Sequence, residues 1–204
     1  MIDTIIFDFG DIFIDLDKTG AMKHALELFK IDEFDSDMIR MNESYERGKL
    51  SSDEFLEFYR AKFPWVNTSE LIRAWNIIIK DFPLYRLDFL KELKHQSDYK
   101  LILCSNTNEM HIKYVKQIIP FYEEFRNQFH RFYLSHLVNM RKPDKEIFEM
   151  IISENELDPG SCLFIDDTEE NTRSAAQLGL KTWTLDPEKD DIIDLIHKPA
   201  DFFK

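Results

Sequence analysis

A chain of 204 residues, 44% hydrophobic and 32% charged, is long enough for one substantial domain or for a core carrying a smaller insertion. That balance suits a globular protein with a buried core, and no apolar run approaches the roughly 20 residues that span a bilayer, which argues against a membrane partner. A formal net charge of −13 speaks against nucleic acid as a partner, because binding a polyanion needs a basic face.

A small phosphorylated metabolite remains admissible, since a local cluster of Lys, Mg²⁺ and backbone N–H groups reverses the field at one point. The N-terminus, Met1-Ile2-Asp3-Thr4, enters an apolar run without the basic stretch of a secretion signal. Cys104 and Cys162 each sit inside a short apolar run and read as reduced core thiols. Together these features predict a cytoplasmic protein.

In chain order, the first element is a β-branched and aromatic run, Thr4–Phe7, that stops at Asp8. From Leu16 to Tyr85 the texture changes. Apolar residues recur at helical spacing (Ala25, Leu28, Phe29; Phe55, Leu56, Tyr59; Leu71, Trp75, Ile78), and Ser51 with Glu54 reads as a capping box. This stretch is far longer than one crossover helix requires, so it is expected to form a helical cap inserted after strand one, with Pro83 near its return. Three further runs follow: Lys100–Cys104 ending in Ser105-Asn106, Phe132–Leu134 ending in Ser135, and Cys162–Ile165 ending in Asp166-Asp167. Lys181–Leu185 reads as a fifth strand. Apolar runs alternating with helices predict an α/β fold, a doubly wound parallel sheet formed by 1–15 and 86–204, with 16–85 as the cap. Ligands of such sheets bind beyond the carboxyl ends of the strands, so the polar clusters at those ends should converge.

Those clusters carry chemistry. A carboxylate at the tip of a buried strand is costly unless something positive meets it. Asp8 and the pair Asp166-Asp167 would together make a hard-oxygen set suited to Mg²⁺. Ser105-Asn106-Thr107-Asn108 lies between a strand and a helix, where a hydroxyl and helix-start N–H groups can hold an anion or simply cap the helix. Lys142, in Met140-Arg141-Lys142-Pro143-Asp144, precedes another helix. Nucleophilic carboxylate, metal carboxylates, hydroxyl with N–H donors, and lysine are the parts phosphoryl transfer uses.

The four segments resemble the four motifs of the haloacid dehalogenase-like hydrolase superfamily: Ile5-Ile6-Phe7-Asp8-Phe9-Gly10, Cys104-Ser105-Asn106-Thr107-Asn108, Arg141-Lys142-Pro143 and Phe164-Ile165-Asp166-Asp167. More narrowly, Ser105-Asn106-Thr107-Asn108, Met140-Arg141-Lys142-Pro143, Gln177-Leu178-Gly179 and Glu46-Arg47-Gly48 are similar to the bacterial α-D-glucose-1-phosphate phosphatase group. The resemblance implies that Asp8 attacks phosphorus to form an aspartyl phosphate that water then hydrolyses. It implies Mg²⁺ on Asp8, the Gly10 carbonyl and Asp167, with Asp166 helping directly or through a neighbour. Ser105 and the Asn106 N–H would hold phosphate oxygens, and Lys142 would offset charge.

Most phosphatases of this superfamily carry a second Asp two residues after the nucleophile, to protonate the leaving oxygen. Gly10 stands there. General acids contribute about 10²–10⁴-fold, so the loss favours substrates with good leaving groups, such as sugar 1-phosphates. Asp11 and Asp15 read as loop residues rather than replacement acids. Arg47 is expected either to reach toward the substrate or to be solvated beside a helix end. His111 is expected to hydrogen-bond on a helix surface, and Trp75 to sit in the core. Two other functions fit the same residues. A haloacid dehalogenase also uses an aspartate nucleophile but needs no metal, and a catalytically silent regulator would bind a phosphorylated metabolite without turning it over.

Overall fold

The computed structural model describes residues 1–96, 98–199 and 202; residues 97, 200, 201, 203 and 204, all within the expected core span, lie outside that description. The five apolar runs form strands β1 (Thr4–Phe7), β2 (Lys100–Ser105), β3 (Arg131–Leu134), β4 (Cys162–Asp166) and β5 (Lys181–Thr184). Each boundary falls within one residue of its expected place. The strands pair in parallel in the order β3-β2-β1-β4-β5.

The strands are continuously apolar because both faces of the sheet are covered. Ile5, Phe7, Leu101, Leu103, Leu163 and Ile165 point into one hydrophobic cluster. Ile6, Ile102, Cys104, Cys162 and Phe164 point into another. This is the two-residue alternation of a pleated strand, buried on each side.

The helices are α1 (Lys18–Phe29), α2 (Ser36–Glu46), α3 (Ser52–Lys62), α4 (Thr68–Asn76), α5 (Leu84–Gln96), α6 (Glu109–Ile118), α7 (Tyr122–Arg126), α8 (Ser135–Val138), α9 (Lys145–Glu154) and α10 (Glu169–Gln177). Leu87 and Leu90 of α5 and Ile112 and Val115 of α6 join the first sheet-face cluster. Ile147, Phe148 and Ile151 of α9 and Ala175 of α10 join the second.

Helices α1 to α4 surround a hydrophobic centre of their own, built from aromatic rings. Phe29 stacks on Phe63 at 4.4 Å between centroids, Tyr45 stacks on Phe55 at 4.2 Å, and Trp75 meets Tyr59 edge-on at 4.5 Å. Helices of 9 to 12 residues are marginal alone in water and gain their stability from such packing. The Ser51–Glu54 capping box forms as expected, and Asn67 with Glu70 makes a second one. Where the chain leaves β1 and where it returns, two passes run side by side: Leu16 bridges Ile79, Lys80 N–H donates to Asp15 O, and Asp17 N–H donates to Ile78 O. The expected helical span therefore closes on a narrow two-stranded neck.

Gly48, just past α2, has φ +62° and faces the backbone of α8 so closely that a Cβ would overlap the His136 carbonyl oxygen. Only glycine adopts that conformation freely. Gly48→Ala is expected to cost roughly 1–3 kcal/mol, read as a lower urea midpoint. An unchanged midpoint would show that this contact does not constrain the fold.

Candidate active site

Strand order dictates where the site forms. The chain moves outward from β1 through β2 to β3, then returns to the other side of β1 as β4. Such a reversal opens a crevice at the carboxyl ends of the two diverging strands, here β1 and β4. Asp8 follows β1 and donates its N–H to Ile165 O at 2.9 Å, so the register sets it beside Asp166. Ligand oxygens of Asp8, Asp166 and Asp167 all lie within 4.8 Å of one another.

Lys142 enters this cluster from the loop before α9. Its side chain is 1% exposed, and its ammonium lies 2.8 Å from Asp8 Oδ1 and 2.6 Å from Asp166 Oδ2. Burial works against its charge, but Asp166 and Asp8 outweigh that and hold it protonated. A clamp from the end of β2 keeps the loop in place: Lys142 N–H donates to Asn106 Oδ1 at 2.9 Å, and Asn106 Nδ2 donates to Lys142 O at 2.8 Å. The Asn106 side chain is therefore committed to positioning Lys142, while Ser105 lies buried at the strand tip. Ser135 accepts from Thr107 N–H and donates to Thr107 O, bracing the same loop from the end of β3.

The two acidic residues after β4 differ in what already holds them. Asp166 is fully buried and accepts from Lys142 Nζ, Thr168 N–H and Asn171 Nδ2, so both of its oxygens are occupied. Asp167 is less enclosed and meets Lys18 Nζ at 2.5 Å through Oδ2. Burial pushes Asp8 up to about 7, against the pull of Lys142 and helped by repulsion from Asp166 and Asp167. Burial also raises Asp167. The cluster is thus short of positive charge, and its all-carboxylate donor set suits a hard divalent cation such as Mg²⁺. Among the described residues Asp8 is engaged through Oδ1 by Lys142 and Asp167 through Oδ2 by Lys18, so each keeps a second oxygen to offer such an ion, with Asp166 steadying Lys142 beside them.

At position 10 a Cβ would lie 2.6 Å from Leu16 Cδ1 and 4.0 Å from Asp8 Oδ2. Leu16 fills the space in which an acidic side chain would begin. The two nearby acids are occupied elsewhere. Asp11 accepts from Leu16 N–H through Oδ1 and pairs with Lys18 at 2.8 Å, while Asp15 pairs with Arg86 at 2.7 Å.

A cavity of about 310 Å³ lies among α1, α2, α4 and the start of α6, lined by Lys18, Asn42, Glu46, Trp75, Asn108 and His111 among others, and Lys18 ties it to the carboxylates through Asp167. Glu46 accepts from Arg141 Nε at 2.9 Å, tying α2 to the residue next to Lys142. Arg47 does not face this cavity. Its guanidinium is spent on Asp144 and its carbonyl accepts from Asn139, so it fastens α2 to the loop before α9. Trp75 belongs to the aromatic cluster and also to the cavity wall. Asn108, read from the sequence as part of an anion site or a helix cap, caps α6 and also lines the cavity, whereas no sequence pattern marks Lys18 or Asn42.

His111 does hydrogen-bond, but within the wall rather than on a helix surface. Its Nε2 lies 2.9 Å from Trp75 O and its Nδ1 lies 3.2 Å from Asn108 Nδ2, an arrangement that suits a neutral ring donating through Nε2. Burial pushes it down to about 4. The unfolded imidazole protonates near 6.5, so the unfolded state binds more protons between those values. The associated stability is complete above about pH 6.5 and is lost as pH falls toward 4. His111→Gln is expected to flatten that decline in a series of urea titrations. A decline as steep as in the wild type would contradict the assignment. Cys104 and Cys162 are both free and buried, and burial pushes their thiols up to about 12 and 11, which leaves them unreactive.

A family model described as haloacid dehalogenase-like hydrolase matches residues 2–179. The chain belongs to that family. D-ribitol-5-phosphate phosphatase from Bacteroides thetaiotaomicron is 27% identical over 191 residues, covering 90% of this chain and 91% of the relative. A haloacid dehalogenase family enzyme from the same organism, solved as a magnesium complex, is 31% identical with a TM-score of 0.85, covering 97% of this chain and 99% of that one. An alanine variant of the family enzyme from that organism, with magnesium and inorganic phosphate, superposes with a TM-score of 0.83 at 28% identity, over 97% of this chain and all of that one. Within the family, these relatives and the acidic triad mark the chain as a phosphohydrolase with a magnesium site. Among the described residues no helix is long and apolar enough to cross a membrane.

Proposed function

We propose that the chain is a Mg²⁺-dependent phosphatase of small sugar phosphates that works through phosphorylation of Asp8, with helices α1 to α4 acting as a cap over the site. The observation that carries this reading is the convergence of Asp8, Lys142 and Asp167 at the β1–β4 crevice. Asp8 Oδ1 is held by Lys142, and Oδ2 lies 4.0 Å from where a Cβ on Gly10 would stand. In the first step a carboxylate oxygen of Asp8 forms a bond to phosphorus as the ester oxygen leaves. In the second, water attacks phosphorus, orthophosphate departs and the carboxylate is restored. Ser105 Oγ and the Asn106 N–H donate to phosphate oxygens, and Lys142 offsets the charge between nucleophile and phosphate. Mg²⁺, held by Asp8, Asp167 and the Gly10 carbonyl, supplies charge neutralisation when bound.

With Leu16 in the place of an acid, the leaving oxygen must depart with little protonation from this loop. That supports sugar 1-phosphates as the preferred class, because an anomeric oxygen leaves more readily than an ordinary alkoxide. An open-chain polyol phosphate is the second reading, favoured by the similarity to the D-ribitol-5-phosphate phosphatase of Bacteroides thetaiotaomicron. The deciding experiment compares kcat/KM for glucose 1-phosphate, glucose 6-phosphate and D-ribitol 5-phosphate. The first should be the best substrate, and turnover of glucose 6-phosphate at an equal or higher rate would refute the leaving-group argument. Chelation is expected to abolish phosphate release and added Mg²⁺ to restore it. Release of halide from a 2-haloacid, indifferent to a chelator and without phosphate release, would instead favour metal-free dehalogenase chemistry.

A further inference from the structure

Lys18 stands in an unfavourable place for a lysine. It is the first residue of α1, where the helix presents partial positive charge and where no acidic residue occupies the first turn. Its ammonium nevertheless bridges Asp11 Oδ2 at 2.8 Å and Asp167 Oδ2 at 2.5 Å. Burial opposes its charge, and the bonds to Asp11 and Asp167 more than compensate. The bond to Asp167 spans 149 residues of sequence and joins the first turn of the cap to the tip of β4.

We propose that Lys18 is a built-in counter-cation of the metal carboxylates, which Mg²⁺ must displace from Asp167. The proposal rests on the magnesium reading above. An ammonium on Asp167 Oδ2 and a divalent ion on the same carboxylate repel each other strongly at such range. On metal binding Lys18 gives up Asp167 and retains Asp11, and its side chain, half exposed and already part of the cavity wall, turns toward that cavity. Metal loading is thereby coupled to the first cap helix. In the metal-free protein the lysine keeps the acidic cluster from repelling itself apart.

The test is calorimetric titration of Mg²⁺ into metal-free wild type, Lys18→Met and Lys80→Met. Lys80 is a similarly exposed lysine at the neck, paired with Asp17, and its replacement reports the effect of net charge alone. Lys18→Met is expected to bind Mg²⁺ at least about fivefold more tightly than wild type, with Lys80→Met within about twofold of it. Saturating Mg²⁺ should also raise the melting temperature more in Lys18→Met than in wild type, since tighter binding to the folded state stabilises it more. Equal or weaker binding by Lys18→Met, with wild type still binding Mg²⁺, would overturn this proposal alone. Failure of all three proteins to bind Mg²⁺ would overturn the magnesium reading with it. Lys18 is exposed enough for the variant to fold, and circular dichroism verifies that before titration.

Discussion

Replacing Asp8 by Asn is expected to lower kcat for phosphate release by at least about 10⁴-fold, the scale on which loss of a nucleophile is felt. The amide keeps the shape of the carboxylate but cannot form the phosphoryl bond, and it supplies a weaker ligand to a divalent cation. Stability should move the other way or not at all. Asp8 is pushed up to about 7 by burial, with Asp166 and Asp167 repelling it, so a neutral side chain relieves a charge that the fold accommodates at a cost. A variant that is inactive and melts at or above the wild-type temperature is therefore the expected outcome. Such trading of stability for activity is common at catalytic sites. Substantial turnover by this variant would show that Asp8 is not the nucleophile.

The second large effect concerns Lys142. Its ammonium is the buried partner of both Asp8 and Asp166, and it lies over the Phe164 ring at 5.4 Å from the centroid. Lys142→Met preserves most of the volume and leaves two carboxylates facing each other without a cation. Breaking a buried pair in this way costs about 3–5 kcal/mol. For a chain of this size, that corresponds to a fall of roughly 6–20 °C in melting temperature. Phosphate release should be lost as well, because among the described residues Lys142 is the cation paired with Asp8. If the penalty comes from unpaired charge, adding Asp166→Asn to Lys142→Met should recover part of the stability without recovering activity. A double variant no more stable than Lys142→Met would assign the loss to packing instead.

The strands were readable because each is buried on both faces and therefore stays apolar from end to end, and their tips were readable because the apolar run breaks into Asp8, Ser105-Asn106 and Asp166-Asp167. Parallel pairing then brings those tips together, which is why local sequence pointed to much of the candidate site. Other parts depend on contacts far apart in the chain. The Asn106 clamp on Lys142 spans 36 residues, and nothing near Asn106 distinguishes a side chain that fixes a loop from one that binds an anion. Asn171 looks like any polar residue in the first turn of a helix, yet it fills the oxygens of Asp166. Arg47 carried a local signal, a basic residue before glycine at a helix end, but Asp144 lies 97 residues away and takes its charge. The missing acid at Gly10 was visible as a departure from a pattern; that Leu16 occupies the vacated space follows only from the neck pairing with Ile79.

The central claim is a covalent phosphoryl group on Asp8. It is tested most directly by mixing the Mg²⁺-loaded protein with ³²P-labelled p-nitrophenyl phosphate, quenching in acid within a single turnover, and mapping the retained label by peptide digestion. Label should appear on the peptide containing Asp8, be released by hydroxylamine as an acyl phosphate is, and be absent from Asp8→Asn. Release of orthophosphate in the same interval with no label on the protein, or with label on a different peptide, would contradict the account.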